Sequence, residues 1–386
     1  MALLAATTVF GLLGSPAAEA SVSLRATLQH DADALLPYHA PGVLVGLDTD
    51  GRDIKVRSGY GNVDARTPVP WNAKFRIGSN TKTFVSATLL QLVGDGRLTL
   101  EDTVERWLPG VVHGNGNDGS KITVRQLLQH TSGLPEYLAL TPYLFNEKEF
   151  QEHRYDTMTP EQAVALAMQL PPDFAPGTSW NYSNTNYMLA GMIINRVTGH
   201  TWQQEVQSRI IRPLGLHDTY TPGTSPTIPR PHAIGYERFP GPDGTEDDPQ
   251  YGEAIDATEL NPSWGGAAGE MISTTDDDNR FLRALVGGRV LHPAQLAEMQ
   301  RTVPVSAGFE HNWPGARYGL GLMWIPNSCG GSWSHGGDIH GFQTRNGVSP
   351  DGSRSVIVSI NSDSLDPAPS TDLTLPLIDH ALCGVR

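Results

Sequence analysis

Alternating apolar and polar residues near the start of the chain predict a β-hairpin. Residues 43–47 form an apolar run, residues 48–51 are polar or glycine, and Ile54 and Val56 then alternate with polar neighbours. Strand patterns on both sides of a short polar turn are typical of two antiparallel strands. The N-terminal part of the fold is therefore predicted to begin with a pair of strands.

The last third of the chain returns to strand patterns. Residues 318–324 alternate, and residues 340–348 and 354–360 flank the turn at 350–352, which predicts a second hairpin. Residues 373–382 have the spacing of a closing amphipathic helix. Strands at both ends of the sequence predict that the two ends pair into one mostly antiparallel sheet.

The middle of the chain has the spacing of helices. Residues 83–93 place apolar side chains on one side of a helix, and helical spacing recurs at 124–128, 161–170 and 188–197. Residues 221–263 are rich in Pro, Gly and Asp and predict a long surface excursion. The expected fold class is α/β in the α+β sense, with the antiparallel sheet flanked by helices and a helical lobe inserted between its halves.

The length of 386 residues exceeds what one compact core usually holds, so two lobes are expected. We assign residues 21–90 and 265–386 to an α/β domain that contains the sheet, and residues 91–264 to a mainly helical lobe. A cleft between two lobes is a usual location for a small-molecule site.

The charge of the chain limits the partners that it can have. The formal net charge is -14, whereas nucleic acids and anionic lipids are bound through clustered Lys and Arg. We therefore expect neither a nucleic-acid nor a membrane partner. A small peptide or amide is the expected substrate, and the chain is expected to be a monomer. No metal or cofactor is expected either, because the sequence shows no metal-binding His or Cys spacing and no nucleotide fingerprint.

Residues 1–20 resemble a secretory signal peptide. The first thirteen are apolar and residues 18–20 have the small-x-small pattern of a cleavage site, although no Lys or Arg precedes the apolar run. We expect cleavage after residue 20 and secretion; the alternative is an N-terminal tail. In an exported chain, Cys329 and Cys383 indicate one disulfide, the alternative being two buried free thiols.

The first candidate motif is Ser79-Asn80-Thr81-Lys82. A serine hydroxyl needs a base within hydrogen-bond reach to act as a nucleophile, and residues three apart on a helix share a face. Burial or nearby positive charge would lower the pKa of Lys82 enough for it to act as that base. Backbone N–H groups at the helix start can also stabilise an oxyanion. Taken alone, the motif fits a helix cap followed by a surface lysine equally well.

Two further motifs can complete a site. In Tyr182-Ser183-Asn184, a phenol beside a lysine can transfer protons, and the amide can bind a substrate carbonyl; the alternative is a helix cap. In His335-Gly336-Gly337, glycines let a substrate backbone lie along a strand edge, and the following N–H of Asp338 would be an oxyanion donor beside that of Ser79. The alternative for this motif is a glycine-rich turn with a structural histidine.

The three motifs in this order resemble the penicillin-recognising serine hydrolases. The chain is most similar to the serine D-Ala-D-Ala carboxypeptidases and D-stereospecific peptidases that share the class C β-lactamase fold. The resemblance covers nearly the whole chain after the signal peptide. The family-like stretches lie at residues 75–79, 128–134, 176–177, 182–187 and 318–322.

The resemblance implies a role for each matching residue. The implied catalytic residues are Ser79 as the acylated nucleophile, Lys82 and Tyr182 as the proton-transfer pair, and His335 near Tyr182. The implied substrate-binding residues are Asn184 and Trp264, to which the third motif adds Gly336, Gly337 and Asp338. The resemblance leaves open which of the pair takes the first proton. The positions of the two cysteines are similar to the disulfide of the secreted carboxypeptidases, and β-lactams are expected to acylate the nucleophile.

Two departures from the strict carboxypeptidases concern the terminal carboxylate of the substrate. Those enzymes carry His-Thr-Gly and an Arg after the Gly-Leu-Gly-Leu segment, where this chain has Gly336 and Met323. Charged hydrogen bonds contribute about 1.5–3 kcal/mol each, so a free carboxylate should bind weakly. We therefore expect D-amino acid amides, esters or internal D-peptide bonds as substrates, with Arg345 as a candidate substitute cation.

Two carboxylates complete the expected site. Asp338 and Glu136 would pair with a substrate amino group, although a solvated loop carboxylate is the favoured interpretation of Glu136. We predict a secreted serine hydrolase of the D-stereospecific peptidase or amidohydrolase type. The alternatives are an esterase, a β-lactamase or a strict D-Ala-D-Ala carboxypeptidase on the same fold. A non-catalytic binding protein is a third interpretation, which three intact motifs argue against.

Overall fold

The computed structural model describes residues 16–49, 52–141, 144–241, 244, 249–365 and 371–384. Most of the predicted signal peptide lies outside these residues, and the first helix begins at Pro16 and runs to Asp33. Cleavage after residue 20 therefore stays a prediction. Within the described ranges, no helix is both long and apolar enough to cross a bilayer.

Strands dominate both ends of the described chain, and helices dominate its middle. The strands are β1 (Gly42–Thr49), β2 (Arg52–Gly59), β3 (Phe75–Arg76), β4 (His113–Gly114), β5 (Asn117–Asp118), β6 (Tyr236–Glu237), β7 (Ile255–Asp256), β8 (Ile272–Ser273), β9 (Val303–Pro304), β10 (Arg317–Tyr318), β11 (Met323–Ile325), β12 (Ser332–Ser334), β13 (Gly337–Ile339), β14 (Phe342–Val348) and β15 (Arg354–Ile360). The α-helices are α1 (Pro16–Asp33), α2 (Thr81–Gly94), α3 (Val104–Trp107), α4 (Val124–Gln129), α5 (Glu147–His153), α6 (Pro160–Ala167), α7 (Thr185–Thr198), α8 (Trp202–Val206), α9 (Arg212–Leu214), α10 (Gly266–Gly269), α11 (Thr275–Val286), α12 (Pro293–Met299), α13 (Ala307–Asn312) and α14 (Leu375–Cys383). Short helical turns lie at Leu36–Tyr38, Gly78–Asn80, Tyr137–Leu140, Gln207–Ile211 and Pro262–Trp264.

One antiparallel sheet joins the two ends of the chain. Its strand order is β2-β1-β15-β14-β12-β11-β10-β9, with β13 paired to β14 at one side of that path. Val45 of β1 lies opposite Val56 of β2 and opposite Val358 of β15, so the first hairpin pairs directly with the last. The predicted sheet class and both predicted hairpins are confirmed.

Helices cover both faces of this sheet. The buried residues of α1 and α14 pack with those of β1 and β15 in one apolar cluster. On the opposite face, α11 approaches so closely that a Cβ on Gly46 would lie 2.8 Å from Thr275 Cβ. Asn279 of α11 donates to Gly46 O at 2.8 Å. Glycine at position 46 therefore lets this helix pack against β1.

The helix that carries the first motif is buried all round rather than on one side. Thr81 to Leu90 of α2 are all buried, and Phe84 stacks on Phe281 of α11 with 3.6 Å between ring centroids. The helix was expected over residues 83–93 with one apolar face, and its polar residues Lys82 and Thr83 are enclosed as well. A buried polar helix start is costly unless its side chains find partners, which makes this end a candidate site.

Two sequence predictions were wrong in detail. The alternating stretch 318–324 is not one strand, because β10 ends at Tyr318 and β11 begins at Met323, with a turn between them in which Gly321 has φ +72°. The excursion at 221–263 is not confined to the surface, since Phe239 and Leu260 within it are buried in the main core.

The predicted disulfide between Cys329 and Cys383 is present. The proposed domain boundaries stay predictions.

Candidate active site

Ser79 lies in a tight turn that a backbone strand crosses at close range. Gly78, with φ +49°, would place a Cβ 2.7 Å from the backbone nitrogen of Asp338. In return, a Cβ on Gly337 would lie 2.0 Å from Ile77 O and 2.5 Å from the backbone nitrogen of Ser79. Only glycine fits these two positions, and the contact brings the backbone of Asp338 beside that of Ser79, where the two predicted oxyanion donors would lie.

Lys82 is fully buried and makes three hydrogen bonds. Its Nζ lies 2.8 Å from Ser79 Oγ, 2.7 Å from Asn184 Oδ1 and 2.8 Å from Ala268 O. The two carbonyl oxygens can only accept, so they hold two N–H groups. In the neutral amine, the lone pair is therefore left facing the hydroxyl of Ser79.

The electrostatics around Lys82 make that neutral amine accessible near pH 7. Burial lowers the pKa of Lys82 from its usual 10.5 to about 7, although the carboxylates of Glu136 and Asp338 act in the opposite direction. Desolvation destabilises the charged form of a buried lysine, so this side chain can take a proton at neutral pH.

Tyr182 stands on the other side of the nucleophile. Its hydroxyl is hydrogen-bonded to Ser79, and its ring centroid is 4.8 Å from Lys82 Nζ. Burial raises the pKa of Tyr182 well above its usual value, so the phenol keeps its proton at neutral pH. The two members of the predicted proton-transfer pair thus differ in protonation state, with a lysine that can accept and a tyrosine that can donate.

His335 is hydrogen-bonded to Tyr318 and not to Tyr182. Its Nδ1 lies 2.8 Å from Gly336 O, which can only accept, so Nδ1 carries the proton and Nε2 accepts from the Tyr318 hydroxyl at 2.8 Å. Burial lowers the pKa of His335 to about 3, so the imidazole is neutral. Its ring centroid is 6.4 Å from that of Tyr182, so the two rings are neighbours without a hydrogen bond between them.

A second histidine lies against Tyr182. The ring of His130 stacks on Tyr182 with 4.3 Å between centroids, and its Nδ1 accepts from the backbone N of Ser183 and from Asn186 Nδ2. His130 is completely buried, and burial lowers its pKa well below the usual value. This neutral ring fixes the face of the tyrosine on the side away from substrate.

Glu136 holds Asn184 in place. Its Oε2 accepts from the backbone N of Asn184 at 2.6 Å and from Asn184 Nδ2 at 3.0 Å, and its Oε1 accepts from Leu138 N. Burial raises the pKa of Glu136. The interpretation of Glu136 as a solvated loop carboxylate was therefore wrong, because this carboxylate orients the amide whose oxygen faces Lys82.

The candidate residues open onto a cavity of about 190 Å³. Its walls include Ser79 and Asp338 from the ranges assigned to the α/β domain, and Asn184 and Trp264 from the range assigned to the helical lobe. The remaining lining residues are Tyr137, Leu138, Leu144, Phe145, Gly265, Ala268, Gly269, Ile339, His340 and Asp363. Among the described residues, no group of three His, Cys, Asp or Glu side chains could hold a metal ion.

Arg345 is already paired with Asp338, an acidic residue of the cavity wall. Its guanidinium binds Asp338 at 2.6 Å and also Asp372. Asp363 is hydrogen-bonded to Asp338, and burial raises the pKa of Asp363 well above its usual value. A Cβ on Gly336 would lie 3.2 Å from Arg345 Cδ and 3.3 Å from its Nη1. The glycine of this motif therefore makes room for the arginine, whose charge two carboxylates neutralise.

Comparison with known proteins decides the family. Residues 24–378 match the family model described as Beta-lactamase. This chain belongs to the beta-lactamase family. The match spans the sheet, the helices between its two ends and all three motifs.

Solved members of the beta-lactamase fold lie close to this chain. A D-stereospecific amidohydrolase from Streptomyces sp. is 41% identical, with a TM-score of 0.83 over 94% of this chain and 99% of that one. The D-amino acid amidase from Ochrobactrum anthropi SV3, solved with L-phenylalanine amide, is 29% identical, with a TM-score of 0.79 over 94% and 98% of the two chains. The chain is thus a serine hydrolase of the beta-lactamase fold.

A curated relative in this family is longer than the present chain. Penicillin-binding protein 4* from Bacillus subtilis (strain 168) is 28% identical over 310 residues, which cover 77% of this chain and 63% of that protein. The chain therefore spans about three fifths of the length of this relative.

The sequence patterns of this beta-lactamase-family chain did not identify two residues that contact the predicted catalytic residues. Tyr318 and His130 lie within the family-like stretches 318–322 and 128–134, but neither stretch shows which side chain contacts Tyr182 or His335.

The structure places Ser79, Asn184, Trp264 and Asp338 on the cavity wall. It brings Lys82, Tyr182 and Gly337 into contact with Ser79. His335 lies near Tyr182, as the resemblance implies, and its hydrogen bond goes to Tyr318. Gly336 lies against Arg345 and not on the wall of this cavity.

Proposed function

We propose that this chain is a D-stereospecific amidohydrolase or peptidase that forms an acyl-enzyme at Ser79. The observation that carries the proposal is the pairing of Arg345 with Asp338 and Asp372 beside Gly336. A cation that is already neutralised binds a substrate carboxylate poorly. The similarity to the Streptomyces D-stereospecific amidohydrolase supports the same substrate class.

Acylation follows from the protonation states at the site. Lys82, as the neutral amine, takes the proton of Ser79 while Oγ attacks the substrate carbonyl carbon. The resulting oxyanion accepts from the backbone N–H groups of Ser79 and Asp338. Tyr182 then donates its proton to the leaving nitrogen or oxygen as the bond to the carbonyl carbon breaks. The proton on Lys82 passes back to Tyr182, so the pair ends as it began.

Deacylation reverses these transfers with water in place of the leaving group. Tyr182 first passes its proton to Lys82, and the resulting phenolate takes a proton from the water as the water oxygen attacks the ester carbon of the acyl-enzyme. Lys82 then returns its proton to Ser79 Oγ as that oxygen leaves, so both side chains end as they began. His335 and His130 stay neutral on this route, so we assign them positioning roles beside Tyr318 and Tyr182. The same serine should be acylated by β-lactams, whose ring-opened acyl group would occupy the cavity.

Carboxylates near the cavity suit a substrate with a free amino group. Asp338 is half exposed and borders the cavity, and Glu136 lies behind Asn184. A substrate ammonium beside them would gain a charge-assisted hydrogen bond. D-amino acid amides, D-aminoacyl esters and peptides with an N-terminal D-residue carry such a group on the acyl side.

Export is part of the proposal and rests on the signal-like residues 1–20 together with the disulfide. Disulfides persist mainly in oxidising compartments. Mass spectrometry of the protein from the culture medium should find a new N-terminus at residue 21. Recovery of the full-length chain from the cytosol alone would contradict export. We also propose that the exported protein is a monomer.

The substrate class is tested by comparing acetyl-D-Ala-D-Ala, its C-terminal amide, and D-phenylalanine amide by kcat/KM. We expect the D-phenylalanine amide to be the best substrate and the free-acid peptide the poorest. The pairing of Arg345 predicts this order because the free carboxylate meets no unpaired cation. A higher kcat/KM for the free acid than for its own amide would point to the strict carboxypeptidase instead.

A further inference from the structure

A buried aspartate lies behind the turn that carries the nucleophile. Asp278 of α11 is fully buried, and both of its carboxylate oxygens accept from Asn80 Nδ2 at 2.7 Å. Asn80 follows Ser79 directly in the chain and is fully buried as well. The proposed acylation makes no use of this acid, yet the acid holds the turn of the nucleophile from inside the protein.

The same aspartate has a second amide partner on the sheet. A hydrogen bond from the side chain of Asn346 opposes the rise in the pKa of Asp278. On β14, Asn346 Nδ2 also donates to His335 O at 2.8 Å, while its Oδ1 accepts from His335 N at 2.9 Å and from Ser334 Oγ at 3.1 Å. The two N–H groups of this buried amide thus serve His335 and Asp278, one each.

Asn346 bonds the backbone at a break between two short strands. β12 ends at Ser334 and β13 begins at Gly337, and both strands pair with β14. The register of these pairs places His335 opposite Asn346, whose side-chain amide holds both the N–H and the C=O of His335. The direction in which the backbone leaves the break, toward the N–H of Asp338, therefore depends on this amide.

We infer that Asp278 is a positioning residue that aligns the two oxyanion donors. It ties Asn80, one residue after Ser79, to Asn346, which holds the backbone three residues before Asp338. The backbone N–H groups of Ser79 and Asp338 are the proposed donors. Such donors act in the transition state only when they are fixed in place beforehand. The inference rests on the proposed function and adds a residue that acts on the reaction without touching the substrate.

Removing the carboxylate should loosen both segments at once. In Asp278→Ala, the Nδ2 groups of Asn80 and Asn346 lose an acceptor inside the protein, and buried donors reorient to find another. Deleting one oxyanion donor lowers kcat by about 10²- to 10³-fold, and displacing a donor should cost less. We therefore expect kcat/KM for D-phenylalanine methyl ester to fall at least about tenfold in this variant.

Two inhibitors with the same side chain and amino group distinguish positioning from a general defect. The boronic acid analogue of D-phenylalanine bonds its boron to Ser79 Oγ while Lys82 takes the serine proton, so one boronate oxygen lies where the oxyanion would form. D-Phenylalaninol forms no such adduct. In Asp278→Ala, Ki for the boronic acid should rise at least about tenfold, whereas Ki for D-phenylalaninol should change less than about twofold. Assays at pH 8 keep Asp278 ionised, since its pKa is about 7.

Asp277→Ala is the matched control. Asp277 is the neighbouring buried acid on α11, but its Oδ2 accepts from Asp218 N at 2.8 Å and from Thr219 Oγ1 at 3.0 Å. This variant should leave both Ki values unchanged. An unchanged boronic acid Ki in Asp278→Ala, an equal rise in both Ki values, or the same rise in Asp277→Ala would overturn the inference. An unmodified chain that neither hydrolyses the D-ester nor binds the boronic acid would overturn the proposed function instead.

Asp278→Asn decides the matter should the alanine variant fail to fold. Its amide keeps the volume of the side chain but replaces one acceptor oxygen with a donor, which meets the N–H groups of Asn80 or Asn346. Ki for the boronic acid should then rise about threefold or more, and Ki for D-phenylalaninol should again stay the same. The same boronic acid Ki as in the unmodified chain would contradict the positioning role.

Discussion

Lys82 Nζ lies 2.8 Å from Ser79 Oγ, and its other two hydrogen-bond partners, Asn184 Oδ1 and Ala268 O, can only accept. Two N–H groups of the neutral amine are held by these oxygens, so its lone pair points to the hydroxyl of Ser79. Burial lowers the pKa of Lys82 to about 7. Geometry and protonation state therefore both support the proposal that the lysine activates the serine.

The first prediction concerns the pH dependence of acylation. Because the neutral amine is the active form, kcat/KM for D-phenylalanine methyl ester should be low at pH 5.5, rise through about pH 7 and level off above it. The tenfold loss per pH unit on the acid side is read from initial rates in a constant-ionic-strength buffer. A profile that stays flat down to pH 5 would show that Lys82 is not the base.

Tyr182 should be needed for turnover but not for folding. Removing its hydroxyl in Tyr182→Phe takes away the proton donor, and kcat/KM for D-phenylalanine amide should fall by about 10²- to 10⁴-fold. Tyr220→Phe is the matched control, because the Tyr220 hydroxyl is buried without a hydrogen-bond partner among the described residues. Equal losses in the two variants would indicate a packing effect instead of proton transfer.

Asp338 is expected to select a free amino group on the acyl side. In Asp338→Asn, the preference for D-phenylalanine amide over its N-acetyl derivative should fall by tenfold or more, since one charge-assisted hydrogen bond is lost. Glu136→Gln gives the same comparison for the second carboxylate. Unchanged discrimination in Asp338→Asn would remove this residue from substrate binding, and a loss in Glu136→Gln alone would assign the contact to Glu136.

Asp278 behind the nucleophile should make stability depend on pH. Both of its carboxylate oxygens accept from Asn80 Nδ2 at 2.7 Å, and burial raises its pKa from 3.8 to about 7. A raised acid pKa means that the folded state keeps a proton that the unfolded state loses, so stability decreases as the pH rises from about 4 to about 7. Asp278→Asn removes this dependence.

The comparison uses the free energy of unfolding in urea at pH 5 and pH 8. Between pH 5 and pH 8, the free energy of unfolding of the unmodified chain should fall by about 3 kcal/mol relative to that of Asp278→Asn. Asp276→Asn is the control, because Asp276 lies on the same helix but is half exposed and paired with Lys55. The same difference for both variants would mean that the effect does not come from the buried acid.

The sheet and the helices could be predicted because their patterns are local. The residues of β1, β14 and β15 alternate or form short apolar runs, and the helix α7 ends at Gly199, which takes the expected positive φ of 79°. The turn that separates β10 from β11 was missed, since Gly319 and Gly321 interrupt an alternation that otherwise continues. Glycine spacing alone does not distinguish a strand that bends from one that runs on.

The catalytic motifs could be predicted, but the residues that orient them could not. Ser79 and Lys82 are three apart in sequence, whereas Glu136 reaches Asn184 across 48 residues and Tyr318 reaches His335 only because β10 and β12 lie in one sheet. Such contacts depend on tertiary packing, which no short window of sequence contains. The burial of Glu136 was misjudged for the same reason.

The central claim is that Ser79 is acylated by substrates of D configuration, and a burst assay tests it most directly. Matched D- and L-phenylalanine amides and methyl esters are mixed with the protein, and acyl-enzyme on Ser79 is followed by intact mass. We predict a D-selective burst and turnover that vanish in Ser79→Ala. Equal turnover of both enantiomers, or D-selective turnover that survives in Ser79→Ala, would contradict the account.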